Sequence, residues 1–196
     1  MYLTRFQLKA APFAEAPDPD FFFLCDRHAQ ARQYIDQVLW YDETFAAVLG
    51  RAGLGKTMLL RFILDDLQGE IPLVALTEPP ANVLAFLKAV LGVLGFDDIE
   101  AGQSEYRSIL SAYLVHQQGR GSRPVLILDQ LEAYPDSVLE ELLWLASIGD
   151  GERPALHFLL FGRDEFEALL DRPRLRDLSD RVRIRYRMRE LSEGET

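Results

Sequence analysis

Residues 50–57 read GRAGLGKT, and they lie between an apolar run, TFAAVL, and an amphipathic stretch that begins at Lys56 and continues to Leu67. In that setting the segment satisfies G-x-x-x-x-G-K-[ST] between a strand and a helix, where it has a physical meaning. Glycines at 50, 53 and 55 let the backbone curl until several N–H groups point inward at a phosphate, and the following helix adds the positive end of its dipole. Lys56 is expected to neutralise the β and γ phosphates of a nucleotide, and Thr57 to place its hydroxyl on Mg²⁺. Arg51, Ala52, Leu54 and Met58 complete the expected nucleotide-binding segment.

Such a loop needs a sheet behind it, and the rest of the chain supplies one. Apolar runs of strand length, IPLVALT, PVLILD, ALHFLLF and RVRIRYRM, alternate with helical stretches at 81–94, 104–115, 137–147 and 164–170. A helix capped by Asp26 is expected through Trp40, with Ala31, Ile35, Val38 and Leu39 at helical spacing. Tyr106, Ile109, Leu110, Tyr113 and Leu114 form one continuous helical face, which reads as core. Ser137 and Glu140, just after Pro135, fit an S-x-x-E capping box. Strands apolar on both faces, such as VLIL and LHFLLF, need helices on each side, so the expected fold class is α/β with a doubly wound parallel sheet.

At 196 residues the chain is the size of one domain. Residues 1–43 are expected to form an arm and a helix packed on the nucleotide site, and 44–196 the P-loop core. The formal charge of −10 repels nucleic acid and anionic lipid at long range, so DNA is not an expected partner. Cys25 stands alone, which excludes an internal disulfide and suits a reducing cytoplasm. The opening MYLTRFQLKAAPF lacks a secretion signal and no window approaches the roughly 18 apolar residues of a membrane span. A cytoplasmic setting is therefore expected. His28, His116 and His157 are scattered and read as structural.

The second element of a nucleotide site is a carboxylate at the end of another apolar strand. Asp129 in VLILDQ takes that place, as a magnesium ligand through water or simply as a strand end. ATPases of this type commonly carry glutamate next, whereas here the residue is Gln130. An amide orients water but accepts no proton at neutral pH, and a positioned base contributes about 10² to 10⁴ in rate, so slow turnover is expected. By the same reasoning Gln130→Glu is expected to raise turnover several-fold. Glu132 would share the face of such a base if the chain stayed extended there.

Taken together these residues resemble the AAA+ ATPase domain of the general secretion pathway protein A family, related to transposition helper ATPases. The likeness runs along nearly the whole chain: Met1, Tyr2, Phe6, Leu8, Pro12 and Phe13, then PDPDF at 17–21, His28, GRAGLGKT, LILDQ, VLEEL, LLFGR and SDRVRIRY. It implies an AAA+ core lacking most or all of a C-terminal helical lid, with ATP and Mg²⁺ as ligands. It also implies self-association through the nucleotide interface, and a partner in a secretion or envelope-assembly complex that could hold the chain near the inner membrane. Phe23 and Leu24 become adenine-pocket candidates. Two departures stand out: Gln130 replaces the family glutamate, and Arg163 stands where a polar amide would sense the γ-phosphate. Arg163 would either contact that phosphate or pair with Asp164 or Glu165.

From 181 to 189 arginine occupies every odd position, and strand alternation would align all five on one face. That face reads as an edge strand guarded by charge, or as a surface for an anionic partner. The resemblance implies a third role, with Arg181 as a finger reaching a neighbouring subunit's γ-phosphate. Three functions remain open at this point: a slow or assembly-dependent ATPase, a nucleotide-dependent switch with little hydrolysis, and a small P-loop kinase.

Overall fold

The computed structural model describes residues 25–40, 43–150 and 153–190, together with Arg5. Its centre is a sheet of β1 (Phe45–Leu49), β2 (Leu73–Leu76), β3 (Val125–Leu128), β4 (His157–Gly162) and β5 (Ile184–Arg187). The spatial order is β2-β3-β4-β1-β5, and every neighbouring pair is parallel. Parallel neighbours require crossovers. The chain makes them through α2 (Lys56–Leu67), α3 (Val83–Val93), α4 (Gln103–Gly119), α5 (Asp136–Leu145), α6 (Glu165–Leu170) and α7 (Arg176–Arg181), with α1 (Asp26–Trp40) preceding the sheet.

The pleat sorts each strand between two cores. Phe45, Ala47, Leu49, Leu126, Leu128, Phe158 and Leu160 face one side, where they meet α3, α4 and α5. Ala46, Val48, Val125, Ile127, Leu159 and Phe161 face the other, under Ile35 and Val38 of α1 and Leu59 and Ile63 of α2. The register sets Phe45 opposite Phe158, and their rings stack with centroids 4.3 Å apart. Each such side chain, fully buried, stabilises the fold by about 1.5 to 3 kcal/mol. The helical face expected at 106–114 is core as read: Tyr106, Leu110 and Leu114 are buried, and Ile109 and Tyr113 pack against them.

Two local expectations fail. Helix α5 starts one residue before Ser137, with Pro135 at its N-cap and no side-chain cap bond. Pro135 already presents extended backbone there, and Asp136 places its charge on the helix's positive end, so Ser137 falls inside the helix and Glu140 instead pairs with Arg174 at 3.0 Å. The arginine ladder is also broken. Helix α7 runs through Arg181 and the strand begins only at Ile184. Leu175, Leu178 and Val182 are all buried, and their spacing suits a helical turn better than an extended one. Arg185 therefore points back to donate to the Ser179 and Val182 carbonyls at 2.8 and 2.7 Å, while Arg187 pairs with Asp164 and Glu167.

Among the described residues, no helix is long and apolar enough to cross a membrane.

Candidate functional site

The carboxyl ends of β1, β2, β3 and β4 open into one cleft of about 510 Å³. Leaving β1, Gly50 donates its N–H to the Gly162 carbonyl at the end of β4, 3.2 Å away. The loop then turns through left-handed backbone at Gly53 and Gly55, with φ of 83° and 84°. Gly55 is the N-cap of α2 and has no side chain to satisfy the first amides of that helix. This leaves the helix with an open, electropositive start facing the cleft.

Lys56 follows at once. Its Nζ donates to the Gly50 and Arg51 carbonyls at 2.6 and 2.8 Å, and the residue is buried. Burial pushes its pKa below the ordinary lysine range, against the upward pull of Glu132 and then Asp129. Thr57 donates its hydroxyl to Asp129 Oδ2 at 2.9 Å, joining the first turn of α2 to the end of β3. Asp129 is only 3% exposed, and its other oxygen accepts the Gln130 N–H at 2.8 Å, so the carboxylate is aimed at Thr57. Two hard oxygen groups thus meet beside a cation and an open helix start. That donor set suits Mg²⁺ carried by a triphosphate.

Gln130 is in the left-handed region, with φ of 58°, alone among the described non-glycine residues. Its side-chain amide donates to the Thr77 carbonyl at 2.9 Å. A glutamate at 130 would set a carboxylate oxygen against that carbonyl. After Gln130 the chain enters a 3₁₀ turn, Leu131–Ala133, instead of continuing extended. The turn swings Glu132 back over the end of β4, where Oε2 accepts the Arg163 N–H at 2.9 Å and Oε1 lies 3.1 Å from Arg163 Nε. Arg163 is thus paired with Glu132, while Asp164 faces Arg187 at 3.4 Å. Gly162 makes room for this: a Cβ there would press on Leu131 Cβ at 3.3 Å and on Glu132 Oε2 at 3.4 Å.

The cleft collects Ala52, Gly53, Gly55, Lys56, Thr57 and Met58 with Asp129, Gln130 and Arg163. Gly50, Arg51 and Leu54 are behind it, as supports of the loop: Gly50 and Arg51 hold Lys56, and Leu54 packs on the α1–α2 core. Arg181 is exposed on α7 and does not line the cleft. Phe23 and Leu24 lie outside the described residues.

Four residues in the cleft wall were given no place there by the motif. Arg61 is one helical turn beyond Thr57 on α2, a spacing that would have revealed it. Thr77 follows β2, Gly162 ends β4, and Glu132 arrives only through the turn. Beside the loop, His28 of α1 accepts or donates at Cys25 Sγ, 3.1 Å away, and comes within 3.4 Å of the Leu54 carbonyl, so α1 braces the loop from outside.

The AAA domain family matches residues 39–170. The chain belongs to that family. General secretion pathway protein A of Aeromonas hydrophila is 28% identical over 193 residues, which is 98% of this chain and 35% of that protein. Among solved structures, Cdc6p from Pyrobaculum aerophilum superposes with a TM-score of 0.69 at 18% identity, over 94% of this chain and 50% of that one. The ORC2 protein of Aeropyrum pernix in its ADP form gives 0.64 at 17% identity, over 90% and 51%. The chain thus spans about a third of the curated relative and half of each solved chain. At such identities the structural likeness speaks for the fold, and the doubly wound α/β, P-loop AAA+ core is the fold expected.

Proposed function

We propose that this AAA chain binds Mg-ATP in the cleft and hydrolyses it slowly, or on assembly, in the service of a secretion or envelope-assembly complex. The observation that carries this reading is the buried Lys56 ammonium, held by two loop carbonyls next to the Thr57–Asp129 pair. A buried cation whose hydrogen bonds go to neutral carbonyls can exchange them for an anion, and the adjacent helix start favours a phosphate.

In this reading the Gly53 to Lys56 backbone cradles the phosphates and Lys56 exchanges its carbonyl partners for phosphate oxygens. Mg²⁺, held by Thr57 and through water by Asp129, would neutralise charge that develops on the transferred phosphoryl group. Arg163, which follows β4 and lines the cleft, would meet the terminal phosphate. Arg181, exposed on α7, would serve a second copy of the chain, which makes turnover depend on concentration. The secretion partner is inferred from the 28% identity to general secretion pathway protein A. So is a cytoplasmic or membrane-adjacent location.

Calorimetric titration with Mg-ATP tests binding, with Lys56→Ala expected to abolish the heat. Phosphate release measured across protein concentrations tests hydrolysis. A second reading, a nucleotide-dependent switch with little turnover, is favoured by one observation: the Gln130 amide is engaged with the Thr77 carbonyl. Intact binding with no phosphate released at any concentration would select the switch.

A further inference from the structure

We infer that the carboxylate absent from position 130 has been relocated to Glu132, which takes the proton from the attacking water while Arg163 holds it in place. The inference rests on the ATPase reading above and assigns it a base. Glu132 lines the same cleft as Lys56, Thr57 and Asp129. Its carboxylate is fixed at both oxygens, by the Arg163 N–H and by Arg163 Nε, so it is held in one orientation. The main-chain bond places Glu132 at the very end of β4, between the strand that carries the phosphate loop and the strand that carries Asp129.

Three features of the chain converge on that placement. Gln130 adopts left-handed backbone, which starts the turn. The turn Leu131–Ala133 brings residue 132 where an extended chain would not. Gly162 leaves the space that the carboxylate occupies. Gln130 lines the cleft too, but it is neutral and its amide is tied to the Thr77 carbonyl.

In the step itself, the water oxygen bonds to the γ-phosphorus as its proton passes to Glu132. The bond from phosphorus to the bridging oxygen breaks, with its electron pair leaving on ADP. Glu132 then returns the proton to solvent, so ATP and water become ADP and phosphate with nothing else consumed.

The test is Glu132→Gln in the full chain. Its amide oxygen still accepts the Arg163 N–H, so the main-chain contact survives, while the basic group and the charge pairing with Arg163 Nε are removed. Turnover is expected to fall about 10²-fold or more, with the acidic limb of the pH–rate profile lost and the Mg-ATP Kd within threefold of the parent. Turnover within threefold of the parent, or an unchanged acidic limb, would overturn the assignment. A parent that binds Mg-ATP yet releases no phosphate would overturn it too and leave nucleotide binding standing. A parent that binds no Mg-ATP would instead remove the ATPase reading beneath it.

Discussion

Two glycines of the phosphate loop make opposite demands, and substituting each by alanine separates backbone strain from packing. At Gly53 a Cβ would meet nothing within 4 Å, so Gly53→Ala carries only the cost of left-handed backbone, about 1 to 2 kcal/mol. At Gly50, with φ of 155°, a Cβ would sit 2.9 Å from the Met188 carbonyl oxygen, 3.1 Å from Leu54 Cδ1 and 3.2 Å from Met188 Cβ. The nearest of these is main chain and cannot swing aside, because the Met188 N–H is bonded to the Leu49 carbonyl at 2.7 Å in the β1–β5 pairing. Strain of about 1 to 3 kcal/mol then adds to overpacking of about 1 to 3 kcal/mol, for a total near 4. For a chain of this length each kcal/mol moves Tm by about 2 to 4 °C, so Gly50→Ala is expected to lose about 8 to 16 °C and Gly53→Ala about 2 to 8 °C. Urea melts with matched m-values and a thermal scan measure both. Equal losses for the two variants, or a Gly50→Ala loss below about 1 kcal/mol, would refute the close approach of β5 to the loop.

Other expectations follow from single contacts. Arg185→Ala removes three donated hydrogen bonds, to the carbonyls of Ser179 and Val182 and to the Ser179 hydroxyl, and should cost about 1 to 2 kcal/mol in a urea melt, whereas Arg181→Ala should leave stability unchanged within about 0.5 kcal/mol and lower phosphate release only at concentrations where the chain assembles. Among the described residues the Tyr134 hydroxyl is buried without a hydrogen-bond partner, and burial and Asp129 both raise its pKa. Tyr134→Phe should therefore hold or raise stability, by up to about 1 kcal/mol, and a clear loss in the same melt would reveal a partner for the hydroxyl. Lys56 has a lowered pKa when folded, so the unfolded chain binds its proton more tightly. Stability of the nucleotide-free protein should accordingly rise with pH in the window from the folded value up to about 10.4, and Lys56→Met should remove that rise from a pH series of melts.

How much of the site was legible varies residue by residue. Lys56 and Thr57 are placed by a loop whose geometry is written in eight consecutive residues, and Asp129 by a run of four apolar ones before it. Helix α1 was readable through Trp40, since Ala31, Ile35, Val38 and Leu39 are the residues it buries, although Asp26 is its first helical residue and not its cap. Arg163 was visible as a departure, but its partner was not: Asp164 and Glu165 are adjacent in sequence, while Glu132 is adjacent only across the sheet. The arginine ladder misled because regular alternation of charge imitates a strand, and the burial of Leu175, Leu178 and Val182 outweighed it.

By itself the sequence determined the first four strands, the helices up to α6, the phosphate-binding turn and the carboxylate at the end of a second strand, because each depends on backbone preferences and side-chain periods within a dozen neighbours. The tertiary structure alone decided that β4 lies between β1 and β3, that a left-handed Gln130 turns Glu132 back onto Arg163, and that Gly162 leaves room for it. Those relations join residues far apart in the chain, and their energies come from strand pairing and packing, which no local stretch encodes.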